Sequence, residues 1–217
     1  MATPGHIAVM LVIGYLLGSI PFARLITVRA GVDLFSIGTG NPGAANVFRK
    51  VDKRLGAVVF FADGLKGAVP VVIAWSMGAP QELWIVAGGA AVFGHWYPVF
   101  NRFRGGAGLA TSAGVVIALM PLAGLVGIAV GMLTLARLKS SGHGALVGLI
   151  VIVGLSFVFN DDWPAGSKWP AAAGSIAFAV ALFGRAAMKG WKPGPKDWPR
   201  FQADTQLQYR CDIVFVL

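Results

Sequence analysis

The chain is short of the residues that support redox chemistry, metal binding and ordinary solvation. Its one cysteine, Cys211, excludes an intramolecular disulfide framework and a cysteine-rich metal site. The histidines, His6, His95 and His143, stand far apart and show no metal-ligand spacing. Charge is scarce too: Asp, Glu, Lys and Arg make up 12% of 217 residues, against roughly 25% in a soluble domain. Water is therefore not the main solvent. No Gly-Lys-Ser/Thr closes a glycine-rich segment, which excludes a Walker A nucleotide loop. A nucleophile elbow and a Ser-His-Asp pattern are also missing.

Apolar residues, at 56%, and 30 glycines fill the space that charge leaves. This composition predicts closely packed helices in a bilayer. Apolar runs fall at about 7–27, 56–77, 83–100, 109–136, 144–159 and 171–188. One span needs roughly 20 residues, so 109–136 is too long for one ordinary helix. Pro121 and Gly124 interrupt it, and it reads as a hairpin of two short helices. The expected fold is an all-α integral membrane protein of about seven transmembrane helices, two of them short.

The distribution of positive charge supports that count. The net charge of +9 does not indicate nucleic acid, because basic residues sit in short segments between apolar runs. With the N-terminus outside, segments 24–54, 101–108, 137–143 and 185–217 face inward and hold 16 of the 18 Lys and Arg residues. Glu82, Asp161 and Asp162 then face outward. A single helix over 109–136 would reverse everything after it. The expectation is N-out and C-in, with residues 1–190 as the membrane domain and 191–217 as a cytoplasmic tail. No basic residue precedes the run at Ile7, whereas Arg24 and Arg29 follow it, so a retained first span is expected rather than a signal peptide.

Two glycine-rich, arginine-flanked segments then lie on the inner face. The first, GTGNPGAANVFR, places Thr39, Asn41 and Asn46 among Gly38, Gly40 and Gly43, and ends at Arg49. The second, GHWYPVFNRFRGGAGLAT, carries His95, Arg102, Arg104, Gly105, Gly106, Gly108 and Thr111. Glycines let backbone N–H groups converge on an oxyanion, and arginine adds a planar charged fork. Asn-Pro-Gly is by itself a good turn, but a turn requires neither Arg49 nor two asparagines. His95 alone reads more readily as an interfacial side chain, beside the aromatic belt residues Trp96 and Tyr97, than as a base. Asp63 and Lys66 sit three residues apart on one face of an expected membrane helix. They read as either a self-neutralising pair or part of a site.

Four segments together, GSIPFARL, GTGNPGAANVFR, ADGLKG and GHWYPVFNRFRGGAGLAT, resemble the bacterial acyl-phosphate:glycerol-3-phosphate acyltransferase family, PlsY. Their order and spacing agree over roughly the first half of the chain. The resemblance implies a small seven-helix enzyme of the bacterial inner membrane with its active-site loops facing the cytoplasm. It implies acyl transfer from acyl phosphate to the 1-hydroxyl of glycerol 3-phosphate, giving lysophosphatidic acid without cofactor or metal. On this reading Thr39, Asn41 and Arg49 are the catalytic candidates. The remaining loop residues named above, with Asp63 and Lys66, bind substrate.

The chain differs from that pattern at several positions. Thr39 stands where the family has Ser, and Ala107 where it has Lys. Phe183 and Lys192 stand where a third family segment has Asn and Glu. Those differences motivate one competing reading, a divergent member that binds lipid or phosphate without catalysis. The Asp63/Lys66 pair and the glycine-broken helices motivate another, a small organophosphate transporter.

Overall fold

A computed structural model describes residues 3–138 and 140–158 of the chain. The expected span at 171–188, the tail, Phe183 and Lys192 lie outside the described residues. The described residues form eight α-helices, in the order α1 (Pro4–Gly18), α2 (Phe22–Val28), α3 (Ala44–Lys50), α4 (Lys53–Ser76), α5 (Gln81–Trp96), α6 (Leu109–Leu119), α7 (Pro121–Leu138) and α8 (Ser141–Val158). A 3₁₀ turn, Val99–Asn101, sits between α5 and α6. The described residues contain no strand.

Local chemistry sets the boundaries. Thr3 caps α1 by accepting from the His6 N–H at 3.3 Å, with Pro4 at the first helical position. Asp52 caps α4 by accepting from the N–H groups of Arg54 and Leu55 at 2.7 and 2.9 Å. The run 109–136 is broken as expected, with α6 ending at Leu119 and Pro121 opening α7, but only the first half is short: α7 runs 18 residues to Leu138, long enough to cross a membrane. With 11 residues, α6 is about 16 Å long, well short of a hydrocarbon core of about 30 Å.

The first expected span differs from its prediction. It is not one helix over 7–27, because α1 stops at Gly18 and α2 begins only at Phe22. Pro21 lacks an N–H and cannot extend the ladder. Hydropathy is blind to this because the apolar run continues through the break.

Small residues dominate the contacts between helices. Gly14 and Gly18 of α1 lie directly on the backbone of Ala87 and Ala91 in α5, and Gly94 returns the contact against Tyr15 and Ser19. Gly67 and Gly114 bring α4 and α6 together. Gly127 and Gly131 of α7 face Gly148 and Gly144 of α8. Where the surrounding solvent is as apolar as leucine, close backbone approach supplies the dispersion contact that drives helix association. The principal core comprises Met10, Val71, Leu83, Trp84, Val92, Val115 and Leu119 from α1, α4, α5 and α6. Large apolar side chains such as Val12, Phe61, Leu65, Leu133 and Ile150 point outward, as a lipid-facing surface requires. Among the described residues, four helical stretches are long and apolar enough to cross a membrane: Pro4–Val28, Lys53–Ser76, Gln81–Asn101 and Pro121–Leu138.

Candidate active site

The break between α1 and α2 positions the site. It frees the Ile20 carbonyl, which accepts from Lys66 Nζ at 2.8 Å. The same ammonium lies 2.8 Å from Asp63 Oδ1. Both side chains are almost fully buried on α4, so neither ion could be held there without the other. The pair is thus a self-neutralising brace, and also part of a cleft wall. His95 on α5 completes the group, its Nδ1 lying 3.8 Å from the same Asp63 oxygen.

The first glycine-rich loop closes over this floor. Gly38 and Gly40 adopt φ of 56° and 65°, in the left-handed region that glycine favours. Asn46 holds the loop in place. Its Oδ1 accepts from the Thr39 N–H at 3.2 Å, and its Nδ2 donates to the carbonyls of Leu34 and Ile37 at 3.3 and 3.1 Å. Asn46 is buried, and its amide is occupied by the loop's own backbone. Thr39 is exposed and Asn41 half-buried. Arg49, in the last turn of α3, is half-buried as well. Partial burial draws its guanidinium below the usual arginine range, although the group stays cationic at neutral pH.

The second loop folds under tighter constraint. Arg102 and Phe103 both take left-handed φ, 52° and 59°, a conformation that side-chain-bearing residues rarely adopt. The buried Asn101 amide secures the turn. Its Nδ2 donates to the Arg104 carbonyl at 2.6 Å, and its Oδ1 accepts from Arg24 Nη1 at 2.6 Å. Gly105 rests on the carbonyls of His95 and Trp96. Gly106 sits between the His95 ring and the Pro42 carbonyl, so the two glycine-rich loops meet there. Trp96 Nε1 donates to the Ala107 carbonyl at 2.9 Å.

Between these parts lies a small cleft, open to one side. Of the residues predicted from sequence, Asp63, Lys66, His95, Arg104, Gly105 and Gly106 border it. Gly38, Thr39, Gly40, Asn41, Gly43, Asn46 and Arg49 belong to the overlying loop and α3 and do not line its walls. Arg102 is exposed, and Gly108 packs on the Trp96 indole. Thr111 is buried on α6 against Gly67, its hydroxyl without a hydrogen-bond partner among the described residues.

Sequence reasoning missed Arg24, Pro42, Asn101 and the Ile20–Pro21 break, all of which border the cleft. Pro21 inside an apolar run was the available signal for the break. Among the described residues no three His, Cys, Asp or Glu side chains group as a metal site. The arrangement offers backbone and arginine donors beside a buried ion pair, suited to holding anionic groups next to an apolar helix bundle.

Comparison with known proteins agrees with that chemistry. Residues 8–189 match the family model described as Glycerol-3-phosphate acyltransferase. The glycerol-3-phosphate acyltransferase of Geotalea daltonii is 46% identical over 131 residues, covering 59% of this chain and 67% of that protein. The Myxococcus xanthus enzyme of the same name is 43% identical over 150 residues, covering 68% and 78%. The crystal structure of PlsY (YgiH), an integral membrane glycerol 3-phosphate acyltransferase in its glycerol 3-phosphate form, superposes with a TM-score of 0.69. It is 32% identical, and the match covers 93% of this chain and 98% of that one.

Proposed function

Because the chain belongs to the glycerol-3-phosphate acyltransferase family, we propose that its cleft transfers an acyl chain from acyl phosphate to the 1-hydroxyl of glycerol 3-phosphate. Acyl transfer to glycerol 3-phosphate in phospholipid synthesis is the family's reaction. The donor, the site residues and the orientation in the membrane are our reading. The observation that carries it is the meeting of the two glycine-rich loops at Gly106 and Pro42, over a cleft bordered by arginine, lysine and histidine.

Acyl phosphate is a mixed anhydride and already activated. The glycerol 3-phosphate hydroxyl oxygen attacks the acyl carbonyl carbon, and the bond from that carbon to the phosphate oxygen breaks. Inorganic phosphate leaves and takes up the hydroxyl proton, so ester and phosphate balance the equation. The protein's work is then to juxtapose two anions and to hold charge on the leaving group. Arg49 grips a phosphate, Thr39 and Asn41 hydrogen-bond the reacting groups, and the glycine loops donate backbone N–H groups. Asn46 acts through the loop it braces. Cofactor and metal have no place in this scheme. The loops face the cytoplasm from the inner membrane, in a seven-helix, N-out arrangement supported by the positive charge distribution. Lys66 commits its donors to Asp63 and Ile20, which removes the chief motive for a transport reading.

Purified protein supplied with acyl phosphate and labelled glycerol 3-phosphate should form labelled lysophosphatidic acid. Acyl-CoA supplied instead should give none. Turnover with acyl-CoA alone would refute the proposed donor, and no product from either would refute catalysis.

A further inference from the structure

Among the described residues at the cleft, Arg24 is a cation that a neighbouring amide aims and no carboxylate cancels. Lys66 is neutralised by Asp63 at 2.8 Å. The Arg104 guanidinium lies over the Phe35 ring, 3.8 Å from its centroid, a stacked position that occupies one face. Arg24 differs from both. Its Nη1 donates to Asn101 Oδ1 at 2.6 Å, and no carboxylate among the described residues forms an ion pair with it. A neutral amide oxygen orients a guanidinium without cancelling its charge. That amide is itself fixed, buried and bonded through Nδ2 to the Arg104 carbonyl at 2.6 Å. The remaining N–H donors of Arg24 are available at the cleft rim.

The geometry points to Arg24, aimed by Asn101, as a phosphate-gripping residue of this cleft. The ligand chemistry is a phosphate monoester or acyl phosphate, for which the planar fork of arginine is shaped. The assignment rests on the phosphate-substrate reading above and adds a residue from the first turn of α2, outside the glycine loops. Asn101 is a positioning residue and touches no substrate.

Arg24→Ala, Arg24→Lys, Asn101→Leu, Asn101→Asp and the exposed control Arg29→Ala are compared in steady-state turnover of the full chain. Arg24→Ala should raise KM for one phosphate substrate by about tenfold or more, the scale of one lost charge-assisted hydrogen bond. The substrate whose KM moves identifies the source, glycerol 3-phosphate or acyl phosphate. Arg24→Lys should recover only part of the loss. Asn101→Asp keeps an acceptor for Arg24 but cancels its charge, so it should raise the same KM at least as much as Asn101→Leu does. A purely structural Asn101 would instead lower Tm in both variants with no substrate-specific KM change, and that result overturns its role.

Stabilisation by inorganic phosphate, read as a thermal shift, tests Arg24 whether or not turnover occurs. The shift should shrink in Arg24→Ala and persist in Arg29→Ala. An unchanged shift and unchanged KM values in Arg24→Ala overturn the assignment even if the wild type is active.

Discussion

At the scale of single residues, Arg49 and Ala107 are where the proposed phosphate-holding role divides between charge and geometry. Arg49 is half-buried in the last turn of α3, so its fork approaches from a fixed direction. Arg49→Lys keeps the charge and loses the bidentate geometry. Activity should fall by about tenfold or more, on the scale of one strong charge-assisted hydrogen bond, while insertion and Tm stay near wild type. Wild-type turnover in that variant would reduce Arg49 to a topology charge. Ala107 is exposed at the edge of the second loop, beside Gly108. With Arg24 and Arg104 already bordering the cleft, Ala107→Lys should change KM for glycerol 3-phosphate only modestly, and Arg104→Ala should be damaging. An inert wild type rescued by Ala107→Lys alone would show that those arginines do not compensate.

Among the elements, the break between α1 and α2 governs the most. Lys66 is buried on α4 and holds both Asp63 and the freed Ile20 carbonyl. Lys66→Met leaves a buried carboxylate without its ammonium partner. Such a loss costs about 3–5 kcal/mol and should appear as a large fall in Tm in detergent. Asp63→Asn combined with Lys66→Met should recover most of it. Equal instability in single and double variants would mean that the carbonyl contact, rather than the ion pair, carries the stability.

The same scale separates what was readable in the sequence from what was not. The kink between α6 and α7 was readable, because Pro121 and excess length both argue against one helix. The two loops, which meet in the fold, were readable as turns because Gly and Arg leave a local pattern. The first-span break was not, since hydropathy averages side chains while a break is a backbone event. Nor was the Arg24–Asn101 bond, which joins residues 77 positions apart and has no local period. Asn46 reads in the sequence as a ligand-binding candidate and not as a loop brace, because sequence does not show which polar groups the backbone already occupies.

For the molecule as a whole, the testable quantity is orientation. If the basic segments face the cytoplasm, cysteines at Thr39 and Ala107, in a background with Cys211 replaced by Ser, should resist impermeant thiol reagents in intact cells. A cysteine at Asp162 should react. Labelling of both loops from outside would invert the topology and remove the supply of cytoplasmic glycerol 3-phosphate from the proposed reaction.

The bond from the Trp96 indole to the Ala107 carbonyl also gives the protein an optical handle. Indole emission responds to the polarity and hydrogen bonding at its ring nitrogen. This nitrogen is tied to the segment between Gly105–Gly106 and α6. Any ligand that draws that segment inward pulls on a chromophore already in place. With the chain's other six tryptophans replaced by phenylalanine, a ligand that moves this segment should shift the ultraviolet emission of Trp96 in real time, without a label and before any bond is made or broken.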